Sequence, residues 1–117
     1  MPETYTGGCH CGAVQYEFTA ELSGAMECNC SICSKRGALW AFAKPEQMKI
    51  IKGDPVLSDY QFGKKRIHHL FCENCGVGSY SRGIGPDGNI SYAVNVRCLE
   101  GVDPSKLKIT PFDGKSM

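Results

Sequence analysis

"FCENCG", residues 71–76, sets two thiols three positions apart and follows them with a glycine. A glycine there lets the backbone turn so that its amides face the sulfurs, which is how half of a tetrahedral zinc site is made. A second pair stands about sixty residues upstream in "CHCG", residues 9–12, where Cys9 and Cys11 are also closed by a glycine. Cys9, Cys11, Cys72 and Cys75 together make one closed four-thiolate site, which would join the first strand to the second half of the chain. The binding free energy of such a site is on the order of 10 kcal/mol or more, comparable with the net stability of a small domain. The metal-free protein is therefore expected to fold poorly.

The chain has 117 residues, which predicts one domain over 1–117 with a modest core. Lysine and arginine number 13 against 12 acidic residues, so no strong field draws nucleic acid or an anionic membrane. The N-terminal stretch "MPETYTGG" has no basic region leading into an apolar run, and no eighteen apolar residues stand together. A soluble, cytoplasmic protein is expected. Thiols stay reduced in that setting, where dense clusters of them serve as metal ligands more often than as disulfides. Eight cysteines would also fit four bridges, but partners two or three residues apart make strained ones.

Fourteen glycines and six prolines punctuate short segments of alternating polarity, the pattern of half-buried antiparallel strands. Strands are predicted at 13–19, 25–28, 39–43, 48–52, 56–62, 66–71, 78–82 and 90–96. In the first, Val14, Tyr16 and Phe18 share a face because side chains alternate. A helical turn is predicted within 31–37 and another at 104–107. "GPDGN", residues 85–89, reads as a hairpin turn.

Three further thiols sit in "CNCSIC", residues 28–33. Cys28, Cys30 and Cys33 are close enough to converge on one ion from a loop and the first turn of a helix. Three protein ligands with one open position is the construction of a catalytic zinc site. A helix start would add free amides that favour the thiolates. The alternative is a second closed site, completed by Cys98 or by a histidine of the His68-His69 pair. Cys98, just past a β-branched run, reads as a small apolar residue of the core.

"GGCHCGAVQYEF", "CNCSIC", "FCENCG" and "VNVRCLEGVD", in this order and spacing, resemble the glutathione-dependent formaldehyde-activating enzyme family, also called the centromere-protein-V-like family. The resemblance runs from residue 7 to about 114. It implies a mainly β, Mss4-like fold of short antiparallel sheets pinned by zinc, with only one or two helical turns. It also implies two Zn2+ per chain: a structural ion on Cys9, Cys11, Cys72 and Cys75, and an open, catalytic ion on Cys28, Cys30 and Cys33. The implied activity is that of a carbon-sulfur lyase or synthase, joining a small aldehyde such as formaldehyde to a small-molecule thiol such as glutathione. Asn29 stands where many members carry histidine, a change expected to alter hydrogen bonding to the sulfurs.

The remaining polar and aromatic residues read more plainly. His10 is expected to point outward from its turn. Of His68 and His69, on alternate faces of a strand, one must face the interior. Trp40 and Phe42 share a face and read as core, with a pocket wall as the alternative. Lys35, Arg36 and Arg97 read as solvated surface, or as partners for a ligand carboxylate. The competing functions are a non-catalytic zinc-binding module for protein contacts and a metal buffer.

Overall fold

The computed structural model describes residues 3–61, 67–84 and 88–113. Among them the chain forms β1 (Glu3–Gly8), β2 (Gln15–Ala20), β3 (Gly24–Cys28), α1 (Cys33–Arg36), β4 (Trp40–Ala43), β5 (Met48–Lys52), β6 (Leu57–Tyr60), β7 (Ile67–Cys72), β8 (Tyr80–Ile84), β9 (Ile90–Asn95) and β10 (Lys108–Phe112). Short 3-10 turns cover Pro45–Gln47, Asp54–Val56, Val96–Cys98 and Pro104–Lys106. The protein is mainly β, as its alternating pattern predicts. Parts of the sequence reading, namely residues 62 and 66 and most of the 85–89 turn, lie outside the described residues.

The strands make two sheets, one of three strands in the order β1-β2-β5 and one of seven in the order β10-β3-β4-β9-β8-β7-β6. The paired neighbours are antiparallel, as expected, with one exception. β10 runs parallel to β3, from Lys108 beside Gly24 to Phe112 beside Cys28. Alternating polarity reports which face is buried but not which way a partner runs, and the long stretch between these strands leaves either direction open. Two strands carry no clear sequence signal. β1, "ETYTGG", has glycines and threonines in place of large apolar residues, and β10, "KITPF", contains Pro111. Proline is tolerated there because β10 lies at the sheet edge, where a missing N–H breaks no ladder.

Val14, Tyr16 and Phe18 are buried together, as predicted, and meet Ala41, Ala43, Leu70, Tyr80, Val94 and Val96 of the larger sheet and its connections. Tyr16 illustrates how the sheets are tied. Its ring stands edge-on to Tyr80 at 5.4 Å, and its hydroxyl donates to the carbonyl of Ser79 at 2.9 Å. That carbonyl also accepts the amide of Asn95 at 3.0 Å, so Tyr16→Phe leaves it one partner. The expected loss is about 1 kcal/mol, at the low end for a buried hydrogen bond, measurable as a lower denaturant midpoint at unchanged slope.

The shared face of Trp40 and Phe42 is only half covered. Trp40 is buried, with the Arg36 guanidinium 5.9 Å from its ring centroid, whereas Phe42 is 56% exposed. The core side of β4 belongs to Ala41 and Ala43. Phe42 is thus corrected from core to surface, since only the Trp40 end of this outer face lies under α1.

Candidate functional site

The loop after β1 and the end of β7 bring four thiols together. The Sγ atoms of Cys9, Cys11, Cys72 and Cys75 all lie within 4.8 Å of one another. Cys11 is 3.6 Å from Cys9 and 3.7 Å from Cys72, too far for disulfides, and all the cysteines are free. Four sulfurs about 2.3 Å from one zinc ion stand about 3.8 Å apart, close to the Cys11–Cys9 and Cys11–Cys72 spacings. Gly12 and Gly76, at φ +84° and +80°, supply the predicted left-handed turns. Amides then face the sulfurs: that of Val14 donates to Cys9 at 3.3 Å. The amides of Val77 and Cys11 hold the Cys75 thiol down at about 6. The side chain of Asn74 and the amide of Ala13 lower the Cys11 thiol. Cys9 and Cys11 follow a strand of the small sheet and Cys72 ends a strand of the large one, so this cluster joins the two sheets.

The trio is assembled locally. Cys28 ends β3, Cys33 begins α1, and Cys30 lies in the loop between them. Their sulfurs also lie within 4.8 Å of one another, and all three residues are half-buried. The Cys30 amide donates to the Cys28 sulfur at 3.4 Å, and the Cys33 amide to the Cys30 sulfur at 3.5 Å. For Cys30 burial opposes ionisation, but the amides of Cys33 and Ile32 and the adjoining thiols prevail and lower its pKa. Burial pushes the Cys33 thiol up to about 12, helped by Cys30, while a hydrogen bond from the Trp40 side chain pulls the other way. A cation entering this trio would therefore displace protons. With three thiols and amide donors, the donor set fits a zinc ion.

A cleft of about 520 Å³ opens beside the trio, and Cys28 and Cys33 line it. Its far wall is Pro111, Phe112 and Asp113, brought there by the parallel docking of β10 on β3. Asn29 helps hold that wall. Its amide N–H donates to the Phe112 carbonyl at 3.1 Å, and its Nδ2 donates to Asp113 Oδ1 at 3.0 Å. These bonds of Asn29 run to the C-terminal strand, a partner its place in the cysteine cluster does not announce. Nothing in the sequence near the cysteines marks Phe112 or Asp113; only the pairing of strands distant along the chain brings them here.

The other candidates fall outside both clusters. His10 is exposed, as expected. His69 is buried, while His68 Nδ1 lies 2.6 Å from Asp59 Oδ2 on the outer face, so neither histidine completes the trio. Burial and the nearby Arg36 charge keep the His69 pKa below its usual value. Cys98 is half-buried and lies near the quartet: burial and the Cys9 thiol push its own thiol up to about 11. Lys35 and Arg97 are exposed. Arg36 is not solvated surface. Its Nη2 donates to the Leu70 carbonyl at 3.3 Å and would lie 1.5 Å from a Cβ at position 78, so Gly78 is required beside it. Arg36 thereby fastens α1, which carries Cys33, to β7, which carries Cys72.

Among proteins of solved structure, a Rhodobacter sphaeroides protein is similar. The two chains share 37% sequence identity with a TM-score of 0.75, over 90% of this chain and 99% of the other. Residues 4–111 match the family described as glutathione-dependent formaldehyde-activating enzyme. That match spans the paired sheets, both cysteine clusters and most of β10, and the chain belongs to the glutathione-dependent formaldehyde-activating enzyme family.

Proposed function

We propose that this chain, acting as one domain, is a zinc-dependent carbon-sulfur lyase or synthase that joins a thiol to a small aldehyde and runs the reverse reaction. The family name supplies glutathione and formaldehyde as the reference pair. The observation that supports the reading best is the half-buried trio of Cys28, Cys30 and Cys33, with two of its thiols lining a cleft of about 520 Å³. Zinc on these three thiolates would supply Lewis acidity and a coordination position for the incoming thiol. Zinc on Cys9, Cys11, Cys72 and Cys75 would be structural.

The chemistry needs little else from the protein. The thiol sulfur forms a bond to the carbonyl carbon, the carbonyl π pair moves to oxygen, and the proton lost by the thiol ends on the new hydroxyl. No oxidant or third reactant enters. The chain contributes position: α1 and the end of β3 fix the three sulfurs, and the β10 wall confines a small carbonyl beside them. A reducing cytoplasm suits the reading, since the trio must remain as free thiols. No helix among the described residues is long and apolar enough to cross a membrane.

The test combines metal counting with adduct formation. Elemental analysis is expected to give about two zinc ions per chain, with about one lost on mild chelation. Titration with formaldehyde and glutathione, followed by NMR of the S-hydroxymethyl carbon, is expected to show faster exchange with the loaded protein than in buffer. Two ions without any thiol binding would favour a non-catalytic zinc module, and only one ion per chain before chelation would remove the open site.

A further inference from the structure

α1 is a single turn that cannot hold itself in place. It is far shorter than a helix stable on its own, Gly37 ends it at φ +69°, and none of its residues is buried. Cys33, its first residue, therefore depends on a tie to the rest of the molecule, and Arg36 makes one from the same turn. Its Nη2 donates to the Leu70 carbonyl at 3.3 Å, and its guanidinium carbon stands 5.9 Å from the centroid of the Trp40 ring. The Trp40 side chain in turn donates to the Cys33 thiol. On its other side the guanidinium fills the space left by Gly78. A Cβ there would lie 1.5 Å from Nη2 and 2.6 Å from Cζ, and its nearest neighbours all belong to Arg36. Leu70 shortly precedes Cys72 and Gly78 shortly follows Cys75, so the seat is built from both flanks of that knuckle.

The seat is a costly one for a cation. Nη1 is buried without a hydrogen-bond partner, and no carboxylate pairs with the guanidinium among the described residues. Burial pulls the Arg36 pKa down, while the Cys33 and Cys98 thiols work the other way. An apolar side chain would pin a short turn to a sheet without these costs, so the stability of the turn does not by itself account for an arginine. We propose that Arg36, seated in the Gly78 gap, is a positioning residue: it holds α1 so that Cys33 converges with Cys28 and Cys30 on one ion, and thereby sets how tightly the trio keeps its metal. The role rests on reading the trio as a metal site. Arg36 acts through Cys33 and is not itself a ligand.

The test uses the full chain loaded with zinc and titrated with a chelator of known affinity. The ion absent from Cys30→Ser identifies the trio's. In Arg36→Ala and in Gly78→Ala its dissociation constant is expected to rise about 10- to 100-fold, while the quartet's ion is held as in the unaltered protein. Gly78→Ala keeps the charge of Arg36 and removes only its seat, and the backbone at 78 is not in the left-handed region, so the added methyl group meets Arg36 alone. In the Arg36→Ala/Gly78→Ala double variant the loss is expected to equal that of Arg36→Ala, because the methyl group then has no guanidinium to displace. Cobalt(II) in place of zinc adds a readout that stability does not move: the visible absorption of the trio's ion, taken as the difference from Cys30→Ser, is expected to shift in both single variants. If both single variants hold the trio's ion as tightly as the unaltered protein, with the same spectrum, Arg36 serves the fold alone and the positioning role is wrong. If Arg36→Ala loosens the ion and Gly78→Ala does not, charge acts without the seat, which also overturns the proposal. If no ion distinguishes the unaltered protein from Cys30→Ser, the trio holds no metal, and the role falls together with the reading beneath it. Should Gly78→Ala not fold, Arg36→Lys takes its place, keeping the charge and losing the fork. The same loosening is expected, and a lysine that restores the trio's affinity would sink the role.

Discussion

Cys72→Ser is expected to leave the chain without a cooperative unfolding transition at 25 °C. Cys72 is fully buried in the core cluster, and its sulfur sits 3.7 Å from that of Cys11, 61 positions away in sequence. The quartet to which it belongs joins the β1-β2-β5 sheet to the seven-stranded sheet. A structural zinc site contributes on the order of 10 kcal/mol, while a domain of this size has a net stability of about 5–15 kcal/mol, so losing the ion removes most or all of the margin. Serine adds a second cost, because its hydroxyl is a poor zinc ligand and is left in an apolar site. Circular dichroism through a urea titration, with zinc content measured on the same sample, checks this. A Cys72→Ser protein that melts like the unaltered one would show that the sheets hold together without the metal.

Cys30→Ser is expected to do the reverse: abolish catalysis and spare the fold. Cys30 is half-buried in a local loop, where its sulfur accepts the amide of Cys33 three residues on and closes no long-range contact in the core cluster. The hydroxyl of serine can still accept from that amide. Stability is expected to change by about 1 kcal/mol or less, which for this size is a shift in Tm of a few degrees. Zinc content is expected to fall from about two ions per chain to about one, and thiol-aldehyde exchange to drop to the background rate. Metal analysis, a melting curve and exchange-rate NMR on one preparation separate the outcomes. Full activity with one zinc would place the chemistry elsewhere. Collapse of the fold would make the trio a structural element.

These two variants differ because the quartet is a long-range device and the trio a local one, and the same distinction governs what could be read in advance. The alternation of Val14, Tyr16 and Phe18 names a buried face, because a strand has no other way to bury three residues spaced by two. Cys28, Cys30 and Cys33 converge because a short loop and one helical turn leave them few other arrangements. The two pairs of the quartet are each local knuckles with a glycine at the turn, and only their mutual approach is distant. Phe42 lies on the surface against its pattern because alternation identifies two faces but not which one a second layer covers. Arg36 reads as solvated because its burial depends on Gly78 and Leu70, both more than thirty residues away.

By itself the amino-acid order determined the β-rich class, the inward face of the second strand, and the grouping of seven thiols into two pairs and a trio, since all of these follow from spacings of one to three residues. Only the tertiary structure decided that β10 runs parallel to β3, that Phe112 and Asp113 wall the cleft, and that no basic residue lines it among those described. The physical reason is the range of the forces involved. Backbone geometry and adjacent side chains act within a turn or a strand, whereas the choice of a strand's neighbour and its direction depends on burial summed over the whole chain.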